Sequence, residues 1–85
     1  MPKAAHTAEL TFACGSQTNA QAVAKALALE AADGPEGSTT QLTVQGDQLV
    51  ANVTADDVAT LRAAINSVAR LADAALRSIA NLGPL

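Results

Sequence analysis

The chain has 85 residues, a net charge of −3 and a single aromatic residue, Phe12. That length leaves room for one domain spanning residues 1–85, and five Lys and Arg are too few for the large basic patch that autonomous nucleic-acid binding requires. Hydrophobic residues still make up 49% of the chain, many of them alanine, so the core is thin while apolar surface is in surplus, and that surplus is expected to lie against a partner.

Cysteine usage and the termini add to this. The lone Cys14 rules out an internal disulfide and fits a reducing compartment. Residues 1–6 hold no apolar leader. No stretch of about 18 uninterrupted apolar residues occurs, so no membrane span is expected. A cytoplasmic protein is the expectation.

The first element is a strand over about residues 5–14. His6, Ala8, Leu10, Phe12 and Cys14 alternate with Ala5, Thr7, Glu9, Thr11 and Ala13, and period two with one polar face marks a half-buried strand. Gly15 and Ser16 break it. Thr18 with Gln21 three residues later fits a capping box, with Ser16 as the competing cap. A helix follows to about residue 32, on a spine of Ala20, Val23, Leu27 and Ala31 with Leu29 to one side. It stops at Asp33-Gly34-Pro35, where glycine takes a left-handed turn and proline cannot continue.

A hairpin comes next. Thr40, Leu42 and Val44 alternate with Thr39, Gln41, Thr43 and Gln45, then Gly46-Asp47 turns the chain. Leu49, Ala51 and Val53 alternate with Val50, Asn52 and Thr54. The last element is a long helix, with Thr54 and Asp57 three residues apart as its N-terminal signal. Roughly 27 residues without Pro or Gly span about 40 Å. Its apolar residues Val58, Leu61, Ile65, Val68, Ala72, Ala75, Ile79 and Leu82 recur at three and four, a heptad seam, flanked by Leu71 and Leu76. The small residues Ala72 and Ala75 let another helix approach closely. A three-stranded sheet and one short helix are too small to cover this seam, so residues 72–82 are expected to need other apolar surface. The fold class is therefore α+β, in the order β-α-β-β-α, a three-stranded antiparallel sheet with two helices on one face.

Chemistry-bearing residues are sparse. His6 reads as an edge histidine, because a metal or general-base role needs converging ligands. Cys14 reads as a small buried hydrophobe. Asp56 and Asp57 are adjacent on a helix start, about 100° apart, and suit the positive end of the dipole rather than acid–base work. Gly34-Pro35-Glu36-Gly37 fits a GxxG pattern, but it joins a helix to a strand and carries Glu36, which repels phosphate. Arg70, Asp73 and Arg77 have the spacing of a surface ion-pair run. Arg62, Asn66 and Ser67 flank the seam, where a buried polar group can fix register and partner choice. No nucleophile with its base, metal-ligand cluster or phosphate loop is present, so no catalytic residue, cofactor or metal is expected and the chain does not read as an enzyme.

The run Asp57-Val58-Ala59-Thr60-Leu61-Arg62-Ala63-Ala64-Ile65-Asn66-Ser67 resembles the signature of the smallest core subunit of the KEOPS complex. That signature is an acidic residue, then Leu-Arg-Ala, a small residue, an aliphatic and Asn-Ser. The element order agrees along nearly the whole chain. Arg70 matches the family's arginine, while Val68 and Leu71 stand where relatives often carry aromatics. The resemblance implies a non-catalytic scaffold that pairs with a second copy through its sheet. It implies helices packed on the helical N-terminal part of the catalytic subunit, which transfers threonylcarbamoyl to the tRNA adenosine beside the anticodon. Contact with tRNA would arise only within the complex. The expected partner seam comprises Val58, Leu61, Arg62, Ile65, Asn66, Val68, Ala72 and Ala75, with Leu61, Arg62, Ile65 and Val68 central to docking or to the core beneath it.

Two rival readings follow from the residues. The strand-helix-hairpin-helix order with its GxxG is also the arrangement of a KH-like RNA-binding module. The heptad seam alone also fits a generic homo-oligomeric α+β interaction domain.

Overall fold

The computed structural model describes residues 6–31 and 37–82. In chain order these form β1 (His6–Ala13), α1 (Gln17–Ala31), β2 (Ser38–Gln45), β3 (Gln48–Ala55) and α2 (Val58–Leu82), the expected β-α-β-β-α order. The helix stop at Asp33-Gly34-Pro35 and the first three residues of the GxxG lie outside the described residues, as does the burial of Ala31 and Leu82.

β3 is the central strand, and the sheet order is β1-β3-β2 with both pairings antiparallel. β3 carries apolar residues on both faces, which suits the middle place. β3 carries Leu49, Ala51, Val53 and Ala55 on one side, and all four are buried. Each lies level with an inward residue of both neighbours. Phe12–Leu49–Val44, Leu10–Ala51–Leu42 and Ala8–Val53–Thr40 form three rungs across the sheet. In the middle rung small Ala51 sits between two leucines, and α2 fills the dip with Ala64 and Val68.

The opposite face is polar. Its rungs are Thr7–Thr54–Thr39, Glu9–Asn52–Gln41 and Thr11–Val50–Thr43. Val50 is only 7% exposed there, flanked by two threonines. Both helices lie on the apolar face, α1 over β2 and β3 and α2 chiefly over β3 and β1, and they pack on each other.

Turns and caps follow from local chemistry. Gly46 has φ +61° and Gly15 has φ +88°, a region closed to most side chains. The first closes the β2–β3 hairpin and the second separates β1 from α1. Next to Gly15, the Asn19 N–H donates to Ser16 Oγ at 3.1 Å, and the Ala20 N–H donates to the Ser16 carbonyl at 3.0 Å. Ser16 is therefore the cap of α1, and the Thr18–Gln21 box is not used because Thr18 already lies inside the helix. Asn19 also donates through Nδ2 to the Cys14 carbonyl at 3.0 Å, which fixes the exit from β1.

The start of α2 differs from the sequence reading in the same way. β3 runs through Thr54 to Ala55, which lies level with His6 and Ser38, so Thr54 is held in the ladder. Asp57 caps instead. Its Oδ1 accepts from the Thr60 N–H at 2.7 Å, and its carbonyl accepts from the Leu61 N–H at 3.0 Å.

The core is two joined clusters. One centres on Ala51, Val53, Ala64 and Val68. The other gathers Cys14, Ala20, Val23, Leu27, Leu49 and Ala72, with Leu71, Ala75, Leu76 and Ile79 packed against it. The expectation that the distal half of α2 lacks cover within the fold is thus corrected. α1 crosses beneath it, burying Ala72 completely and shielding Leu71, Ala75, Leu76 and Ile79 in part.

Candidate protein-interaction surface

The eight seam residues divide by how the fold uses them. Val68 and Ala72 are buried in the chain's own core, so almost none of their surface is free for a partner. Leu61 and Ala75 are half-buried and pack against the two core clusters. Ile65 is half-buried, Arg62 and Asn66 are exposed, and Val58, the first residue of α2, is 53% exposed. The seam has an inner edge that belongs to the fold and an outer edge that does not.

Helical geometry organises the outer edge. Val58, Ile65, Ala69 and Leu76 are seven, four and seven apart and form one line along α2. Arg62, Asn66 and Arg70, each one turn from the next, run beside it. Asp73 and Arg77 continue this second line and join in an ion pair, Arg77 Nε to Asp73 Oδ2 at 3.1 Å. Both are largely exposed, so the pair contributes little stability, and it fits the surface run read from the spacing. Among the described residues Arg62 and Arg70 make no ion pair. α1 reaches this line at Leu76, which packs against the core cluster holding Val23 and Leu27. It also meets the other side of α2, where Ala26, Leu27 and Leu29 line a shallow groove with Leu71, Ala74, Ala75 and Ser78.

A second surface escaped the sequence reading. Between α1 and the free edge of β2 runs an open groove of about 630 Å³, lined by Ala22, Ala24, Ala28, Leu42 and Val44 with Thr18, Gln21 and Lys25 at its margins. Its signal was present in the alanines at 22, 24 and 28 on the side of α1 next to its spine. Alanine there reads as helix propensity, and only the placement of α1 over β2 turns it into the wall of a groove.

Residues weighed for chemistry sit apart from one another. His6 is exposed at the start of β1. Cys14 is buried at 6% exposure with its Sγ donating to the Phe12 carbonyl at 3.6 Å, as a small hydrophobe would be. Asp56 is exposed, and its N–H donates to the Gly37 carbonyl at 3.1 Å. Among the described residues no group of three or more His, Cys, Asp or Glu could hold a metal ion, and no helix is long and apolar enough to cross a membrane.

A family model described as "Transcription factor Pcc1" matches residues 7–80, which takes in β2, β3 and α1 and nearly all of β1 and α2. The chain belongs to the Pcc1 family. Pcc1 is the KEOPS subunit that the Leu61-Arg62-Ala63 and Asn66-Ser67 signature suggests, and the family is one of non-catalytic subunits. The Pcc1 signature falls on the proximal half of α2, where the helix covers the centre of the sheet with Ala64 and Val68 and turns Arg62 and Asn66 outward. No curated protein matches the sequence significantly.

Proposed function

We propose that this chain is the dimerising, non-catalytic scaffold of its KEOPS complex, holding the catalytic subunit for threonylcarbamoyl transfer to the tRNA adenosine beside the anticodon. It acts in the cytoplasm as a single domain and has no active site of its own. The observation that carries the reading is the division of α2. Its inner side is spent on its own sheet and on α1. The outer edge of Val58, Arg62, Ile65 and Asn66 stays open in the part of the chain where the family signature falls. That edge docks the catalytic subunit. With a net charge of −3, the chain meets tRNA only as part of the assembly.

The homodimer forms through a sheet edge, and two features support β2 as that edge. β2 carries no charge, proline or bulge over eight residues, and an unprotected edge of this kind is a template for another strand. β1 carries Glu9, and antiparallel self-pairing would bring two Glu9 carboxylates together near the axis. The groove beneath α1 also opens beside β2, where a second copy would fill it with its own Leu42 and Val44. Pairing there leaves the α2 flank free.

The test is size-exclusion chromatography with light scattering on this chain mixed with the catalytic subunit of the same source. Two copies of each eluting together is the expected result, and Ile65→Asp should remove the catalytic subunit while leaving the homodimer. Separate elution of two folded proteins would end the scaffold reading. Normal binding by folded Ile65→Asp would take the α2 flank out of the interface.

A further inference from the structure

We infer that Glu9 is the residue that stops assembly at two copies, by closing the β1 edge to the β1 edge of another dimer. The inference rests on the β2-paired homodimer proposed above and adds what limits it. A dimer joined at β2 ends in a β1 strand on each side. Were those ends free to pair with one another, dimer would add to dimer without closure, because each addition presents β1 again. β1 has the features of a strand that would pair. It is eight residues long without proline, and its register against β3 runs unbroken from His6 to Ala13, so no bulge twists its rim away. Ala8, Leu10 and Phe12 are only half-buried, and an added strand would cover more of them.

What stands against pairing is one charge. Across the three strands Glu9 is the only carboxylate, and they hold no lysine or arginine. Glu9 is exposed on the open face of the sheet, level with the neutral Asn52 and Gln41. It makes no ion pair among the described residues. Pairing of β1 with β1 must keep Ala8, Leu10 and Phe12 on the helix side. The antiparallel registers that do so and pair most of the strand centre on Glu9 or on Leu10. The first sets the two carboxylates opposite one another, and the second sets them on a diagonal still within reach of long side chains. Both are repulsive, and no strand cation offsets the repulsion. β2 carries no such charge, so the barrier falls on one edge alone.

The experiment is sedimentation velocity on the full-length chain over a range of concentrations, with the variants Glu9→Thr and Glu9→Lys. Threonine suits a strand and matches Thr7 and Thr11 on the same face. Wild type and Glu9→Lys, each with like charges at the rim, should stay at two copies. Glu9→Thr should grow with concentration to four copies and more. A mixture of wild type and Glu9→Lys should grow too, because opposite charges then face each other across the rim, and that growth should fade as salt rises. A role for Glu9 confined to its own sheet would produce no growth on mixing. Folded Glu9→Thr that remains at two copies would overturn the inference and leave the dimer standing, as would a mixture that grows no more than its components. Wild type already beyond two copies would overturn the inference alone. Wild type running as a monomer would overturn the dimer reading and the inference with it.

Discussion

Ser16 and Asp57 perform the same task at the starts of two helices, each accepting an N–H from three residues on, at 3.1 and 2.7 Å. Replacing Asp57 with alanine should lower unfolding free energy by about 1 kcal/mol, read as a reduced urea midpoint with an unchanged slope. Neither cap was settled by the sequence. Thr18 and Ser16, and Thr54 and Asp57, all satisfy the local pattern. What decides is not local, since Thr54 lies between Thr7 and Thr39 and a residue held in a three-strand ladder cannot also begin a helix. The exposure of Arg62 and Asn66 was not legible either, because their place beside the apolar seam fits a buried polar group as well as an exposed one.

α2 shows where pattern reading stops at the level of an element. The heptad spacing predicted a long amphipathic helix, and the helix is there over 25 residues. Period alone does not say which body covers an apolar stripe. Ala72 was read as a position where a partner helix could come close, and a helix does come close, but it is the chain's own α1, with Val23 and Leu27 in the same cluster. The closeness is testable. Ala72→Leu adds volume where no surface is left, and should cost about 1–3 kcal/mol. The same change at Ala74, which is exposed, should stay within about 0.5 kcal/mol. Equal effects at the two positions would mean that α1 and α2 are not packed as described. The strands were read more completely, because a two-residue period with a polar alternate face leaves only one way to turn a strand toward the core.

At the level of the whole molecule, the three strands of the described residues leave two edges unpaired among those residues, and the asymmetry between them sets the expected assembly. Gln41→Lys places a charge at the middle of β2 on the open face, where it should oppose its counterpart across a β2–β2 seam and shift the chain to monomer in light scattering. Thr11→Lys on β1 should leave the dimer unchanged. A dimer that survives the first change and is lost in the second would move the seam to β1. Edge identity was not legible in the sequence, because nothing in strand patterning told whether β1 or β2 would carry a helix beside its rim. That depends on how α1 and α2 share the sheet.

The long second helix also shapes how the chain moves through water. Its principal extents are 53 × 20 × 16 Å and its radius of gyration is 13.5 Å, against about 12 Å for a compact chain of this length. A rod-like particle turns about its long axis faster than end over end, so amide vectors lying along α2 will relax differently from those crossing the sheet. Friction rises with elongation as well, so a lone copy will leave a sizing column somewhat ahead of a sphere of equal mass, and elution volume by itself overstates its mass.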